Sequence, residues 1–381
     1  MARIDPKHGG LVWDSDLVER NINLEFNPVV STLPLEEKVR RSLSVGVECI
    51  FPEELEELFR SKTHPVCYDG FEPSGRMHIA QGLLKAINVN KLTSSGCIFI
   101  FWVADWFAML NNKMGGDLTK IRLVGKYMIE TWRAAGMDMR NVKFLWCSEE
   151  INKKPNEYWE RVMDIAMRNN ITRLKRCGQI MGREESGKMP AAQILYPIMQ
   201  CSDIFFLKAD ICQLGLDQRK VNVLAREYCD QIKQAKKPVI LSHPMLMGLK
   251  KDQEKMSKSD PGSAIFMQDS QEDVVTKINK AYCEPGDIEK NPVLNYTKHI
   301  IFGSRGELLI KRAPENGGDT LYNSYEALEA DFAAGRIHPG DLKPAVSGAI
   351  NSLLDPIRRH FQTDPYARSL YEQVAALQVT R

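Results

Sequence analysis

The pattern of hydrophobic and polar positions changes twice along this chain of 381 residues. The first sixty residues predict helices, at Glu36–Leu43 and in the segment EELEELF that follows Pro52. Between Val66 and Leu246, short apolar runs alternate with stretches of helical period. After about Gly262 only helical patterns remain. The sequence therefore predicts an N-terminal helical extension (1–60), a mixed domain (61–262) and a helical C-terminal region (263–381).

Short apolar runs in the mixed domain are typical of buried β-strands. The clearest is Cys97–Asp105, a continuous apolar run bounded by polar residues, which indicates a parallel strand covered on both faces. Strands and helices in alternation predict an α/β fold, with a doubly wound, Rossmann-like parallel sheet followed by a helical domain. The predicted strands are PVCYDGF, CIFIFWVAD, VKFLWCS, DICQLG and KPVILSHP, and the predicted helices are 78–92, 118–135, 157–168, 219–227, 273–282, 324–333 and 342–361.

Composition narrows the class of protein without identifying a partner. Apolar residues make up 43% and charged residues 26%, which are ordinary values for a globular protein. The net charge of +2 gives no indication of a nucleic-acid partner. The nine cysteines are scattered and never spaced as CxxC, which favours free thiols over disulfides or a zinc site. The start, MARIDPKHGG, is polar, and the apolar runs are too short for a bilayer. We expect a cytoplasmic protein with no membrane segment and no protein-bound metal.

The first group of residues that suggests chemistry lies in YDGFEPSGRMHIAQ (68–81), between the first strand of the mixed domain and the following helix. Ligands of open α/β sheets bind at such strand ends, and the unpaired N–H groups of a helix start favour phosphate. Gly70 and Gly75 allow the backbone to approach a nucleotide closely, and His78 can donate to a phosphate oxygen. HxxQ alone is a weak signal, so an ordinary strand–turn–helix with a surface histidine is the alternative.

The second group is KMSKS (255–259), in the polar stretch GLKKDQEKMSKSDPG. Lys255 and Lys258 flank a serine on a predicted loop, where they can follow the pyrophosphate of ATP as it leaves. A solvated basic loop is the alternative interpretation. Five consecutive residues that match a catalytic signature are more specific than HxxQ, and both motifs in this order favour nucleotide chemistry.

The third group is a polar stripe on an otherwise apolar helix. Tyr196, Gln200 and Asp203 stand at positions i, i+4 and i+7, which stack on one helical face, and their neighbours are apolar. A helix that is apolar all round is normally buried, so its polar groups need partners. Those partners are either a ligand or a satisfied network within the protein core.

These motifs resemble the class I aminoacyl-tRNA synthetases, with HIAQ in place of the HIGH signature and KMSKS intact. From Tyr68 to His360 the chain resembles the tyrosyl-tRNA synthetases of archaeal and eukaryotic-cytosolic type. Gln81 replaces the second signature histidine, and it keeps hydrogen-bonding capacity without being able to carry a positive charge. The motifs that carry the second resemblance are FEPSG, YPIMQ with Asp203, the Gln218-Arg-Lys segment, KINKAYC, GGD and HPGDLK.

The resemblance implies a role for each matching residue. The phenolic hydroxyl of L-tyrosine would meet Tyr68 and Asp203, and its ammonium group would meet Tyr196, Gln200 and Gln218. Glu72, beside a strand end, is a further candidate for the tyrosine site, with a structural role as the alternative. ATP would contact Gly75, His78, Gln81, Lys255, Ser257 and Lys258, of which His78, Gln81 and the two lysines are the catalytic candidates. Transfer RNA would contact the C-terminal domain at His338 and Asp341, in HPGDLK. Arg219 and Lys220 form a basic spot suited to tRNA phosphates, for which a solvated face is the alternative.

The implied reaction is activation of tyrosine by ATP, with Mg²⁺, and transfer of the tyrosyl group to tRNA(Tyr), in a homodimer. Residues 61–262 would then be the catalytic domain and residues 263–381 the KMSKS-following segment and the anticodon-binding domain. A tryptophanyl-tRNA synthetase is one alternative, although an indole site has no need for the Tyr68–Asp203 pair. A non-catalytic RNA-binding relative is the other, and an eroded ATP site would have favoured it.

Overall fold

The computed structural model describes residues 3–4, 11–12, 19–178, 190–256 and 260–377. A sheet of six strands lies at its centre, with the order β3-β8-β7-β4-β5-β6. The strands are β1 (Arg3–Ile4), β2 (Leu11–Val12), β3 (Glu48–Ile50), β4 (Val66–Phe71), β5 (Ile98–Val103), β6 (Val142–Trp146), β7 (Ile211–Cys212), β8 (Val239–Ser242), β9 (Leu308–Ile310) and β10 (Thr320–Tyr322).

Helices cover the sheet and form most of the C-terminal region. Within the described ranges, no helix has the length and apolarity needed to cross a bilayer. The α-helices are α1 (Leu35–Leu43), α2 (Pro52–Ser61), α3 (Lys85–Ser94), α4 (Asp105–Leu110), α5 (Leu118–Ala134), α6 (Cys147–Lys153), α7 (Pro155–Arg168), α8 (Ile171–Gly178), α9 (Ala192–Phe206), α10 (Arg219–Gln231), α11 (Gln271–Lys280), α12 (Pro292–Tyr296), α13 (Gly303–Arg305), α14 (Tyr325–Ala333), α15 (Pro339–Thr363) and α16 (Pro365–Ala376).

The order of the strands creates a crevice in the middle of the sheet. Strands β4, β5 and β6 extend parallel to one side, and the chain then returns to add β7 and β8, also parallel, on the other side of β4. The direction of winding therefore reverses between β4 and β7. Their carboxyl ends diverge there, which is where doubly wound sheets bind ligands.

Buried side chains on both faces hold the sheet in place, as the continuous apolar run of β5 predicts. Phe99 and Phe101 belong to one apolar cluster, and Trp102, which points to the opposite face, belongs to the other. The first cluster continues into the C-terminal helices through Leu342 and Val346 of α15. The second cluster lies under α7, α9 and α10.

The predicted fold class, a doubly wound α/β sheet with helices after it, is confirmed, but the sequence missed five strands. The first sixty residues are not purely helical, because β1 pairs antiparallel with β2, and β3 pairs antiparallel with β8 at the edge of the sheet. The C-terminal region contains the antiparallel pair β9–β10. Each of these strands has two or three residues, too few for an alternating pattern to stand out from a loop.

Candidate active site

A cavity of about 700 Å³ opens at the carboxyl ends of β4 and β7, where the winding of the sheet reverses. A cavity of this size accommodates a small molecule or nucleotide. The predicted site residues that line it are Tyr68, Glu72, His78, Gln81, Tyr196, Gln200, Asp203, Gln218 and Lys255. Gly75 lies outside the lining, with a φ of +85° that glycine adopts without steric cost.

Asp203 supplies a buried acceptor to this cavity. Its side chain is almost fully enclosed, and Oδ1 accepts a hydrogen bond from the hydroxyl of Tyr158 at 2.8 Å. Oδ2 is buried and makes no hydrogen bond of normal geometry to a described residue, although the indole N–H of Trp102, equally buried and unpaired, acts on the same carboxyl. Burial raises the pKa of the Asp203 carboxyl well above its usual value, and hydrogen bonding from Tyr158 and Trp102 opposes the shift. The second oxygen is therefore left for a group that enters the cavity.

Two further pairs order the polar stripe of α9. Tyr196 donates its hydroxyl proton to Oε1 of Glu72 at 2.6 Å, and Glu72 also accepts from the side-chain amide of Asn111 at 3.1 and 3.2 Å. Nε2 of Gln200 donates to Oε1 of Gln218 at 3.1 Å. The stripe is therefore partly satisfied within the protein, and Glu72 orients Tyr196.

The HIAQ segment begins a helical stretch that is π-helical at its start, over Ala80–Leu84, and continues as α3. Trp132 Nε1 donates to the main-chain oxygen of Gln81 at 2.8 Å and fixes the start of this stretch. The side-chain oxygen of Gln81 is buried and lacks a partner among the described residues, while the residue lines the cavity. Gln81 thus offers an acceptor at the position where the family signature has a second histidine.

The HIAQ segment is tied to the chain that follows the KMSKS motif. Ile79 N donates to Ile265 O, and Met267 N donates to Met77 O, both at 2.9 Å. Gly82 makes this approach possible, because a Cβ there would lie 2.1 Å from Sδ of Met267. The chain that leaves the KMSKS motif is therefore anchored to the helical stretch that begins at HIAQ, which is called the signature helix below. Lys255 is exposed and lines the cavity, and Ser257 and Lys258 lie outside the described residues.

A buried polar network that sequence analysis missed lies on the other side of β4. The ammonium group of Lys85 forms an ion pair with Oδ2 of Asp69 and donates to Oε1 of Gln213 at 3.5 Å. Nε2 of Gln213 lies 2.7 Å from Nδ1 of His243. Asp69, Lys85 and His243 line the cavity. The one hint in the sequence is Lys85 itself, a lysine inside the apolar stretch GLLKAI.

The predicted tRNA contacts do not line the cavity. Arg219 starts α10 and pairs with Glu48 at 2.7 Å, and Lys220 follows it on the exposed side. His338 caps α15, where Nδ1 accepts from the main-chain N–H of Gly340 at 3.0 Å. Asp341 lies in the first turn of the same helix.

A doubly wound sheet, a polar cavity at its switch point and a signature helix tied to the KMSKS segment together define a class I aminoacyl-tRNA synthetase. In the described part of the chain, no cluster of three or more histidine, cysteine or acidic residues is placed to hold a metal ion. The geometry alone leaves the amino acid open, because the tyrosyl and tryptophanyl enzymes share this architecture.

Comparison with known proteins identifies the family. The model of the class I tRNA synthetases for tryptophan and tyrosine matches residues 60–355, and the chain belongs to that family. Cytoplasmic tyrosine–tRNA ligase 1 of Arabidopsis thaliana is 59% identical over 91% of this chain and 90% of its own length. The tyrosine–tRNA ligase of Sulfolobus acidocaldarius is 38% identical over 86% of this chain and 95% of its own.

A solved structure gives the same result. The tyrosyl-tRNA synthetase of Leishmania major in complex with tyrosinol superposes with a TM-score of 0.87 and 51% identity. The match covers 91% of this chain and 53% of that one, so the chain spans about half the length of this relative. The resemblance to tyrosyl-tRNA synthetases of the archaeal and eukaryotic-cytosolic type is confirmed, and the tryptophanyl alternative is not favoured.

Proposed function

We propose that this chain activates L-tyrosine with ATP and then transfers the tyrosyl group to tRNA(Tyr). It acts as an aminoacyl-tRNA ligase of the tyrosine type, in line with relatives that are tyrosine–tRNA ligases. The observation that carries the assignment to this cavity is the buried, unpartnered Oδ2 of Asp203. It lies on the same cavity wall as Tyr68, which is also almost fully buried.

The amino acid is selected by its hydroxyl group. A phenol both donates and accepts, so it satisfies the Asp203 carboxyl in either protonation state, whereas the N–H of indole only donates. Phenylalanine would leave the buried oxygen unsatisfied, at the full cost of its desolvation. Discrimination against phenylalanine by tyrosyl-tRNA synthetases is the established example of this effect. The ammonium group of the substrate is held by Tyr196, Gln200 and Gln218, and Glu72 supports Tyr196.

The first step needs positioning and charge stabilisation rather than a base. The tyrosine carboxylate, already ionised at neutral pH, attacks the α-phosphorus of ATP and forms the acyl–phosphate bond of tyrosyl-adenylate. The bond to the bridging oxygen breaks, and pyrophosphate leaves with the Mg²⁺ that entered with ATP. His78 donates to the reacting phosphate and Gln81 accepts from the nucleotide, while Gly75 shapes the turn before them. Lys255, Ser257 and Lys258 follow the pyrophosphate.

The second step transfers the tyrosyl group to the terminal adenosine of tRNA. A ribose hydroxyl, the 2′-hydroxyl by analogy with the class, attacks the adenylate carbonyl, and AMP leaves. ATP–pyrophosphate exchange with tyrosine, tryptophan and phenylalanine, each offered alone, tests the whole assignment. Exchange with tyrosine alone supports it, exchange with tryptophan refutes the specificity, and no exchange with any of them favours a non-catalytic relative.

We also propose that the protein is a homodimer, and that the second copy covers an exposed apolar patch. Met163 and Met167, one turn apart on α7, and Ile171 at the start of α8 are 57%, 80% and 62% exposed. Contiguous apolar groups of this kind mark interaction surfaces, and flexible methionines are common in them. A second copy of the chain fits the homodimer that the family resemblance implies.

Charges placed in this patch are expected to separate the dimer. Light scattering should give the mass of a monomer for the double variant Met163→Glu, Met167→Glu, because four carboxylates, two from each copy, would meet across the interface. Tyrosine binding should persist. Val275→Glu, at an apolar position of α11 that is 40% exposed, is the matched control and should stay dimeric. A dimer that survives both glutamates would place the interface elsewhere.

For the tRNA contacts we propose that Arg219 and Lys220 bind backbone phosphates and that the start of α15, with His338 and Asp341, reads the anticodon. A carboxylate accepts from donor groups on base edges, and a good contact of this kind contributes about 1–3 kcal/mol. Asp341→Ala should therefore lower kcat/KM for tRNA by roughly tenfold and leave ATP–pyrophosphate exchange unchanged. Glu326→Ala, in the first turn of α14, is the control. Equal charging by both variants would remove Asp341 from the RNA surface.

We propose a cytoplasmic location as well. The support is the relative from Arabidopsis thaliana, which is named as cytoplasmic.

A further inference from the structure

The missed network fixes the hydrogen-bonding direction of His243. Asp69, Lys85 and Gln213 are 6%, 7% and 0% exposed, so none of them relies on solvent. A lysine ammonium group only donates, so Gln213 must turn its carbonyl oxygen towards Lys85. Its amide nitrogen then faces His243 and donates to Nδ1 at 2.7 Å. Nδ1 accepts this bond, and the ring proton is therefore placed on Nε2.

His243 stays neutral in this setting. Burial, and then the nearby positive charge of Lys85, lower the pKa of His243 well below its usual value. The charged groups that face it are Lys85, Asp69 behind Lys85, and Asp217 across Gly215. Burial raises the pKa of Asp69, and the Lys85 ammonium group opposes the shift. His243 therefore presents a neutral N–H donor to the cavity.

Gly215 places this donor beside an acceptor. A Cβ on Gly215 would lie 2.5 Å from Oδ1 of Asp217, 3.3 Å from Sδ of Met245 and 3.6 Å from Nε2 of His243, so a carboxylate oxygen, a thioether and a ring nitrogen flank the space that the missing side chain leaves. All four residues line the cavity. No described residue accepts a hydrogen bond from Nε2. A carboxylate here repels a phosphate, whereas a hydroxyl group can donate to Asp217 and accept from His243 at once.

We propose that His243 donates from Nε2 to a ribose hydroxyl of ATP, and that Lys85, acting through Gln213, is the positioning residue that sets this direction. The inference rests on the proposed use of ATP and adds a specificity determinant to it. Lys85 itself contacts no substrate in this scheme. Its positive charge keeps the amide oxygen of Gln213 turned towards Lys85. The amide nitrogen of Gln213 then donates to Nδ1 of His243 and leaves the ring proton on Nε2.

Nucleotide analogues test the contact. In exchange assays with ATP, 2′-deoxy-ATP and 3′-deoxy-ATP, the wild type should use at least one deoxy analogue roughly tenfold less well than ATP, the effect of one hydrogen bond. His243→Ala should lose activity with ATP by a similar factor, roughly tenfold. This variant should use ATP and that deoxy analogue equally well. His243→Gln, which keeps an N–H donor of similar reach, should recover part of both effects. An unchanged ratio of ATP to deoxy-ATP in His243→Ala overturns the proposal.

A second readout separates positioning from a structural role. ¹⁵N NMR of the imidazole groups, with the His243 signal assigned through His243→Gln, should show the Nε2–H form across pH 6 to 8. Lys85→Met should mix the two tautomers and reduce discrimination against the deoxy analogue, with tyrosine affinity unchanged. Because Asp69 would be left unpaired, Asp69→Asn with Lys85→Met provides a variant that removes both charges. A pure Nε2–H signal in both of these variants removes Lys85 from the scheme.

The outcomes also distinguish this inference from the proposed function. A wild-type protein without tyrosine-dependent exchange would refute the function itself. A wild type that exchanges but treats ATP and both deoxy analogues alike would refute only the ribose contact.

Discussion

Asp203→Ala is expected to reduce kcat/KM for tyrosine in ATP–pyrophosphate exchange by roughly 100-fold, the effect of losing a hydrogen bond to a charged group. Oδ1 is already held by Tyr158 at 2.8 Å, so the loss falls on the bond between Oδ2 and the substrate hydroxyl. The variant also leaves the hydroxyl of Tyr158 buried without its carboxylate partner. Steady-state exchange at several tyrosine concentrations measures the effect, which should appear mainly in the KM for tyrosine.

The selectivity of this variant is more informative than its activity. Phenylalanine has no hydroxyl to offer Oδ2, so the ratio of tyrosine to phenylalanine activation should fall by a comparable factor in Asp203→Ala, with the contact of the hydroxyl to Tyr68 remaining. Ser202→Ala is the matched control, because Ser202 is the adjacent buried residue of α9 and does not line the cavity. It should keep the wild-type ratio. An unchanged ratio in the alanine variant at position 203 would show that Asp203 does not read the hydroxyl.

The alternation of β4 explains why one cavity holds two kinds of chemistry. Tyr68 points to the face where α9 packs, and it shares an apolar cluster with residues of that helix. The next residue, Asp69, points the opposite way and pairs with Lys85 of α3. In the proposed function, the end of a single strand would therefore separate a tyrosine side, built on α9, from a nucleotide side, built on α3 and the helical stretch that begins at HIAQ.

The sequence predicted those features whose signal lies within one element. An apolar β5 and the polar stripe of α9 carry their pattern over six or more consecutive positions, so their burial could be inferred from spacing alone. The polar stripe is partly satisfied within the protein, since Tyr196 and Gln200 have protein partners. A ligand for Oδ2 of Asp203 stays a prediction. The strand β3 has no such pattern. It is a strand because it pairs with β8, which is distant in sequence.

Partners that are distant in sequence could not be predicted. Tyr158 is 45 residues from Asp203. The amphipathic pattern of its helix shows which positions are buried, but it does not show which of them contacts Asp203. Gln213 and His243 lie just beyond β7 and β8, and only the order of strands brings them together. Arg219 is a similar case, since its pairing with Glu48 could not be read from the sequence, while its contact with an RNA phosphate stays a prediction. Residue type indicated the chemistry at these positions, and the fold determined the partner.

Replacing both lysines of the KMSKS motif, Lys255→Ala with Lys258→Ala, is expected to slow adenylate formation by roughly 1000-fold, since a positioned group that stabilises developing charge contributes 100- to 1000-fold. The affinity for tyrosine should not change, because the tyrosine side of the cavity is built on α9. Rapid-quench measurement of adenylate formation with a saturating amount of tyrosine separates the two. Lys250→Ala with Lys251→Ala, in the same polar stretch, is the control for loss of positive charge in general.

The direction of the reaction provides a stricter test of the same pair. Lysines that act on pyrophosphate must do so in both directions, so the cleavage of preformed tyrosyl-adenylate by pyrophosphate should slow by a comparable factor. Transfer of the tyrosyl group from that adenylate to tRNA involves no pyrophosphate and should keep its rate. A variant slow in the forward step and normal with pyrophosphate would mean that the lysines organise ATP before reaction. A loss of transfer would mean that the loop acts on the adenylate itself.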